Sequence, residues 1–182
     1  MPTIDPAFVW TVSAALAAVF GASAIFKLID LGEFRAAVEN YRVIPEPLAG
    51  AATIAIPLAE IVGAVGLLDS RTRFASSIEL ALMLALFTAA IVVNLLRGRL
   101  YIDCGCFGPA LRQPLSWWLP ARNLALMGLA TIAILPIGAR TLTALDVATV
   151  LLGAATMVVL YAAANYLLAN APRIRAFEAA HA

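Results

Sequence analysis

The chain has 182 residues, of which 63% are hydrophobic and 13% charged, and its mean hydropathy is +0.95. A soluble domain is about 45–50% apolar and about 25% charged, and a core of this length cannot hide the excess, so a soluble globule is excluded. The same apolarity excludes disorder, and a formal net charge of +1 without a basic face excludes a nucleic-acid binder; a polytopic membrane protein remains.

The first apolar stretch runs from about Phe8 to Leu28, and a helix needs about 20 such residues to cross the hydrocarbon layer. No Lys or Arg precedes it, so a cleaved signal peptide is not expected. In residues 29–47, Leu31, Phe34, Val38 and Tyr41 recur at three- and four-residue steps, with Glu33, Arg35 and Glu39 opposite. This pattern predicts an amphipathic helix at the membrane surface, stopped by Pro45 and Pro47. A second span is expected over 48–68 and a third over 74–96. Gly50, Gly63 and Gly66 let helices approach closely there. The connection 97–122 follows. A fourth span over 123–139 is short and contains Pro136, and a fifth covers 142–168. The residues from Pro172 onward read as a frayed cytosolic helix. The runs are continuous rather than alternating, which favours helices over a barrel. The expectation is an all-α transmembrane bundle of four to five spans, a single domain over 1–182.

With the N-terminus outside and five spans, nine of the twelve basic residues fall inside: Lys27, Arg35, Arg42, Arg97, Arg99, Arg112, Arg122, Arg173 and Arg175. Arg71, Arg73 and Arg140 fall outside. The positive-inside rule therefore places the 97–122 connection on the cytoplasmic side.

Polar residues inside the spans need partners. Glu60 lies near the middle of the second span, where a charge costs at least about 2.5 kcal/mol. Lys27 is its candidate partner. The pair reads either as a proton carrier or as a structural contact between helices. Asn94 and Asn165 read as interhelical hydrogen-bonding residues, and Asp146 as an interfacial or capping residue. Trp117 and Trp118 suit an aromatic belt, and Arg122 a snorkelling position or a thiolate partner.

The only cysteines, Cys104 and Cys106, lie within Asp103-Cys104-Gly105-Cys106-Phe107-Gly108. Two residue steps span at most about 7 Å, and a disulfide wants Cα atoms about 4.4–6.8 Å apart. Closure therefore requires a tight turn, which Gly105 permits. Such a small ring is strained, and strained disulfides are the labile, catalytic kind. Arg97 and Arg99 would favour the thiolate and Asp103 would oppose it. Phe107 could shield the sulfurs. The other reading is two small buried hydrophobes. A closed zinc site needs four ligands, and the one histidine, His181, lies far along the chain, so no metal is expected unless two chains share one.

The string Arg97-Gly98-Arg99, then Asp103 to Gly108, then Trp117-Trp118 and Arg122-Asn123, resembles the MauE family, within the MauE/DoxX redox-associated membrane proteins. Lys27, Phe34, Tyr41 and Pro45 match its first-span Lys and its Phe…Tyr…Pro segment, and Glu60 with Gly63 its second span. The resemblance covers about Phe20 to Leu126. It implies a bacterial inner-membrane bundle that handles thiols and disulfides, with Cys104 and Cys106 as the reacting pair. In the named member the client is a disulfide-rich subunit of methylamine dehydrogenase, and the partner is thioredoxin-like. Quinone coupling is expected only by analogy with other membrane thiol oxidoreductases. Membrane lipids, and a membrane complex or a second copy, are the other expected partners. The alternatives are an assembly subunit or chaperone with structural cysteines, and a small-molecule or lipid carrier built on Glu60. Disulfide formation belongs to the oxidising side, against the orientation above. Either the pair relays cytosolic reducing equivalents, or the connection dips into the bilayer, or the orientation is reversed.

Overall fold

A computed structural model describes residues 4–105 and 113–181, and the side chains of these as far as Ala171. The described residues form six helices: α1 (Pro6–Ile29), α2 (Leu31–Tyr41), α3 (Glu46–Gly66), α4 (Arg73–Leu96), α5 (Trp118–Ile134) and α6 (Ala144–His181). α1, α3, α4 and Ala144–Ala171 of α6 are long and apolar enough to cross a membrane. The protein is thus a polytopic helical membrane protein.

Local chemistry sets the helix ends. Asp5 caps α1 by accepting from the Ala7 amide at 2.8 Å, with Pro6 in the first turn, where its missing N–H is not needed. Asp30 caps α2 by accepting from the Glu33 amide at 2.9 Å, so the chain turns sharply from α1 into α2. α2 buries Phe34 and Ala37 and leaves Arg35 and Glu39 paired at 2.7 Å on its exposed face, as its amphipathic pattern predicts. α4 ends in a Schellman turn. Gly98, at φ 72°, donates to Leu95 O, and Arg99 donates to Asn94 O, both at 3.0 Å. The left-handed residue there is ordinarily glycine.

α5 differs most from expectation. It starts at Trp118, five residues before the expected span, and stops before Pro136. Its 17 residues rise about 25 Å. Leu119, at its start, packs with Ile91, Leu95 and Cys104. Near its end, the Ala133 and Leu135 carbonyls accept from Arg73, at the start of α4. α5 therefore runs the full height of α4. Arg73 satisfies carbonyls that a helix C-terminus leaves unpaired, and its guanidinium lies 5.9 Å from the Trp10 ring.

One end of the bundle gathers the start of α1, the α3–α4 turn and the α5–α6 connection. There Arg140 bonds Asp5 at 3.0 Å and Asp146 at 2.8 Å. The Arg140 hydrogen bond holds the Asp5 carboxyl below its ordinary 3.8. A depressed carboxyl stabilises above its unfolded pKa, and that stability is lost as pH falls through its folded value. Arg140→Gln is expected to flatten thermal stability against pH below about 4. The other end gathers α2, the α4–α5 connection and the C-terminal part of α6.

The main core joins Leu16 and Phe20 of α1, Ala64 of α3, Leu80 and Leu84 of α4, and Leu126 of α5. α3 and α4 approach closely at Gly63, where an added Cβ would fall 2.6 Å from Leu80 Cδ2. Gly50 has nothing within 4 Å, so only some of the small residues serve packing. Gly63→Leu is expected to destabilise the bundle by about 1–3 kcal/mol through overpacking, read as a lower unfolding temperature in detergent; Gly50→Leu should not. The outer face of α6 carries exposed apolar side chains, including Leu145, Leu152 and Val159, as a lipid-facing helix must.

Candidate functional site

Cys104 sits in a pinched turn. Its amide donates to Gln113 O at 3.0 Å, and Leu115 N donates to Ile102 O at 3.1 Å. These bonds close residues 102–104 against 113–115 in a short antiparallel bridge at Asp103 and Pro114. Asp103 Oδ1 accepts from both the Gly105 and Gln113 amides at 3.2 Å. Its carboxylate therefore organises the turn, a role beyond the electrostatic one expected for it. The Tyr41 hydroxyl donates to Cys104 O at 3.4 Å, tying the turn to α2. Burial, with Asp103 adding to it, pushes the Tyr41 phenol above its ordinary value, so it stays a neutral donor. Cys104 is buried and packs with Ile91, Leu95, Leu115 and Leu119. Among the described residues no cysteine is free. Cys106 and Phe107 lie outside the described residues.

Gly105 has φ +70°, and a Cβ on it would meet Ala37 Cβ at 2.9 Å. The left-handed conformation costs a non-glycine residue about 1–2 kcal/mol, and overpacking adds about 1–3 kcal/mol. Gly105→Ala is expected to loosen the turn by about 2–5 kcal/mol. Limited proteolysis should show faster cleavage within 97–117 while the helices stay intact.

Beneath the turn lies a buried ion pair. Lys27 Nζ donates to Glu60 Oε1 and, at 2.9 Å, to Ser23 Oγ. Ser23 Oγ also donates to Glu60 Oε1 at 3.2 Å. Lys27 is 4% exposed and Glu60 1%, so this is an interior pair between α1 and α3. Lys27 lies near the end of its helix and still reaches, because its four-carbon stem runs into the bundle. The Phe34 and Phe87 rings flank the ammonium, each with its centroid 5.4 Å away. Glu60 Oε2 is buried without a hydrogen-bond partner among the described residues.

The other basic residues are placed differently from expectation. Arg122 is buried rather than snorkelling: it donates to Asn165 Oδ1 of α6 at 3.1 Å and to Asn123 Oδ1. Asn123 continues to Thr88 Oγ1 of α4 at 3.2 Å, so one polar chain links three helices. Arg97 reaches Arg42 O at 3.4 Å and Arg99 reaches Asn94 Oδ1 at 3.2 Å. Arg97 ties the end of α4 to the end of α2, and Arg99 holds the turn after α4 back onto α4; among the described residues neither forms a hydrogen bond to the cysteine turn. Asn94 also donates to Tyr41 O at 3.0 Å, joining α4 to α2. Ser23 was detectable in the sequence as a polar residue one turn before Lys27. Gln113 and Thr88 carried no such signal.

Two cavities meet at this site. One, of about 500 Å³, is lined by Lys27, Asp30, Glu33, Asn40, Asp103 and Gly105, among others. The second, of about 470 Å³, lies between α2, α3 and α4, and Cys104, Lys27, Tyr41 and mostly apolar side chains line it. Lys27, Phe34, Ala37 and Gly105 border both.

A buried ion pair, a cysteine in a constrained turn and apolar helices around them define a multi-pass membrane protein with a polar, cysteine-bearing interior. Residues 5–136 match the family model described as methylamine utilisation protein MauE. The chain belongs to that family. It is 38% identical over 165 residues to methylamine utilization protein MauE of Paracoccus denitrificans, covering 90% of this chain and 89% of the relative. It is 37% identical to the Paracoccus versutus protein of the same name, over 90% and 88% of the two chains. With the Methylorubrum extorquens protein, identity is 38% over 69% and 70%. No solved structure matches the chain.

Proposed function

We propose that the protein is a membrane thiol–disulfide relay that supports maturation of a disulfide-bearing client, methylamine dehydrogenase in organisms that use methylamine. Cys104 and Cys106 cycle between dithiol and disulfide and exchange with a thioredoxin-like partner. In each exchange a thiolate of the reduced protein attacks the disulfide of the oxidised one, a mixed disulfide forms, and the second thiol of the attacking protein resolves it. The observation that carries the reading is Cys104 itself. It is not free, the chain offers one other cysteine, and left-handed Gly105 supplies the bend between them. So short a loop gains little as a structural staple, which argues for a redox role. The relatives' names support the methylamine connection.

Cys104 lines the apolar cavity, and in this reading the attack on the partner is assigned to Cys106. The preponderance of basic residues at the cysteine end argues for a cytoplasmic position in the inner membrane. The side decides which compartment's partner reaches the pair, and the chemistry is the same on either. The test uses thioredoxin lacking its resolving cysteine, its remaining thiol activated as the nitrothiobenzoate mixed disulfide so that attack releases nitrothiobenzoate, with the reduced Cys104→Ser protein in detergent. A mixed disulfide that dithiothreitol dissolves supports the relay. No mixed disulfide with either Cys104→Ser or Cys106→Ser would leave the assembly-subunit alternative.

A further inference from the structure

We propose that the apolar cavity between α2, α3 and α4 binds a membrane-soluble quinone, the two-electron acceptor for the cysteine pair. This rests on the relay reading and extends it to the electron acceptor. The cavity holds about 470 Å³, within the range of about 300–1,000 Å³ that lodges an organic ligand. Small side chains make the space: Ala52, Ala55 and Ala59 recur along one face of α3, opposite Ala90 of α4. Leu86 is 70% exposed and Val43 47%, so the rim of the cavity meets the lipid-facing surface. A ligand dissolved in the bilayer enters there without crossing water.

The polar groups on the wall select among apolar ligands. An acyl chain would use neither Cys104 nor Lys27. A quinone uses both. The Lys27 ammonium has three N–H donors, and the structure gives two of them to Glu60 and Ser23. The third remains for a ring carbonyl, and the positive charge favours electron density arriving on that oxygen. Phe34 and Phe87, which flank the ammonium and line the cavity, offer faces against which a planar ring stacks. The first cavity, which Gly105 also borders, mixes Asp30, Glu33 and Asp103 with Phe26, Tyr101 and Ile102, and so offers a less apolar surface beside the cysteine turn.

The reaction balances with two electrons and two protons. The S–H bonds of Cys104 and Cys106 break, one S–S bond forms, and the quinone becomes a hydroquinone with both protons on its oxygens. The partner's dithiol then restores the pair and is itself oxidised.

The experiment uses the full chain in nanodiscs of phosphatidylethanolamine and phosphatidylglycerol, reduced and freed of reductant, with decylubiquinone as the probe. The expected result is one decylubiquinone reduced per chain, followed by absorbance, with loss of two alkylatable thiols. Ala59→Phe fills the cavity and should raise the half-saturating decylubiquinone concentration at least tenfold. Because that variant could misfold, an azidoquinone photolabel on the unaltered chain gives an independent reading. It should attach within 52–59 or 83–91, and excess decylubiquinone should suppress it. Thiols that glutathione disulfide oxidises but decylubiquinone leaves intact would overturn the quinone site and leave the relay standing. Thiols inert to both would overturn the relay itself. A photolabel confined to residues outside the cavity, or displaced equally by phospholipid, would make it a lipid-filled groove and overturn the proposal.

Discussion

Lys27→Met is expected to destabilise the bundle by about 3–5 kcal/mol, the cost of stranding one member of a buried ion pair. Glu60 would then keep its carboxylate between helices with Ser23 as its remaining hydrogen-bond partner. Glu60→Leu should be comparably harmful, since among the described residues it leaves the ammonium Ser23 Oγ and the two phenyl rings. The pair itself contributes far less than either single loss implies, because desolvating both charges offsets most of their attraction. The double variant Lys27→Met with Glu60→Leu should therefore recover most of the stability. Thermal unfolding in a fixed detergent, run as a double-mutant cycle, measures the coupling. Additive losses would show that the two side chains act independently, against the contact between them. The same double variant separates stability from function. A folded bundle that no longer reduces decylubiquinone would place the ammonium in the chemistry, whereas unchanged turnover would make the pair structural.

Loss of either cysteine is expected to reduce client maturation to the level of a strain lacking the protein, with the double variant no worse than either single. Residues that act as one unit are strongly non-additive, and a dithiol cannot close a disulfide with one sulfur. The readout is methylamine dehydrogenase activity in cells carrying Cys104→Ser, Cys106→Ser or both. Thermal stability of each purified variant controls for packing, because Cys104 lies among Ile91, Leu95, Leu115 and Leu119. Serine changes volume little, so folding should survive while maturation fails. Full maturation with Cys104→Ser would reassign the cysteines to structure.

Much of this architecture could be read directly from residue patterns. Continuous apolar runs marked the spans, and period-3.6 patterning marked α2, because both signals are local. Lys27 and Glu60 could be matched because each was a lone charge of opposite sign in an apolar span. Arg122 was harder. A basic residue beside Trp117 and Trp118 looks like a membrane boundary, and that reading pushed the fourth span toward Pro136. In the folded chain Asn123, Asn165 and Thr88 answer Arg122 across three helices, so α5 begins before it rather than after it. Arg73 posed the same difficulty, since its partners are the carbonyls ending a helix some 60 residues away. The apolar cavity left no mark in the sequence. It is the space that Ala52, Ala55 and Ala59 do not fill, and it exists only once α2, α3 and α4 are packed together.

The most direct measurement is the redox state of the two sulfurs in living cells. Intact cells are quenched in acid, free thiols are blocked, and thiols released by reductant are tagged with a mass label. A relay predicts a mixture of untagged and doubly tagged chains that shifts toward the doubly tagged form as reduced quinone is reoxidised by respiration. A population that stays entirely in one form, whatever the respiratory state and whatever client is being made, would contradict the account.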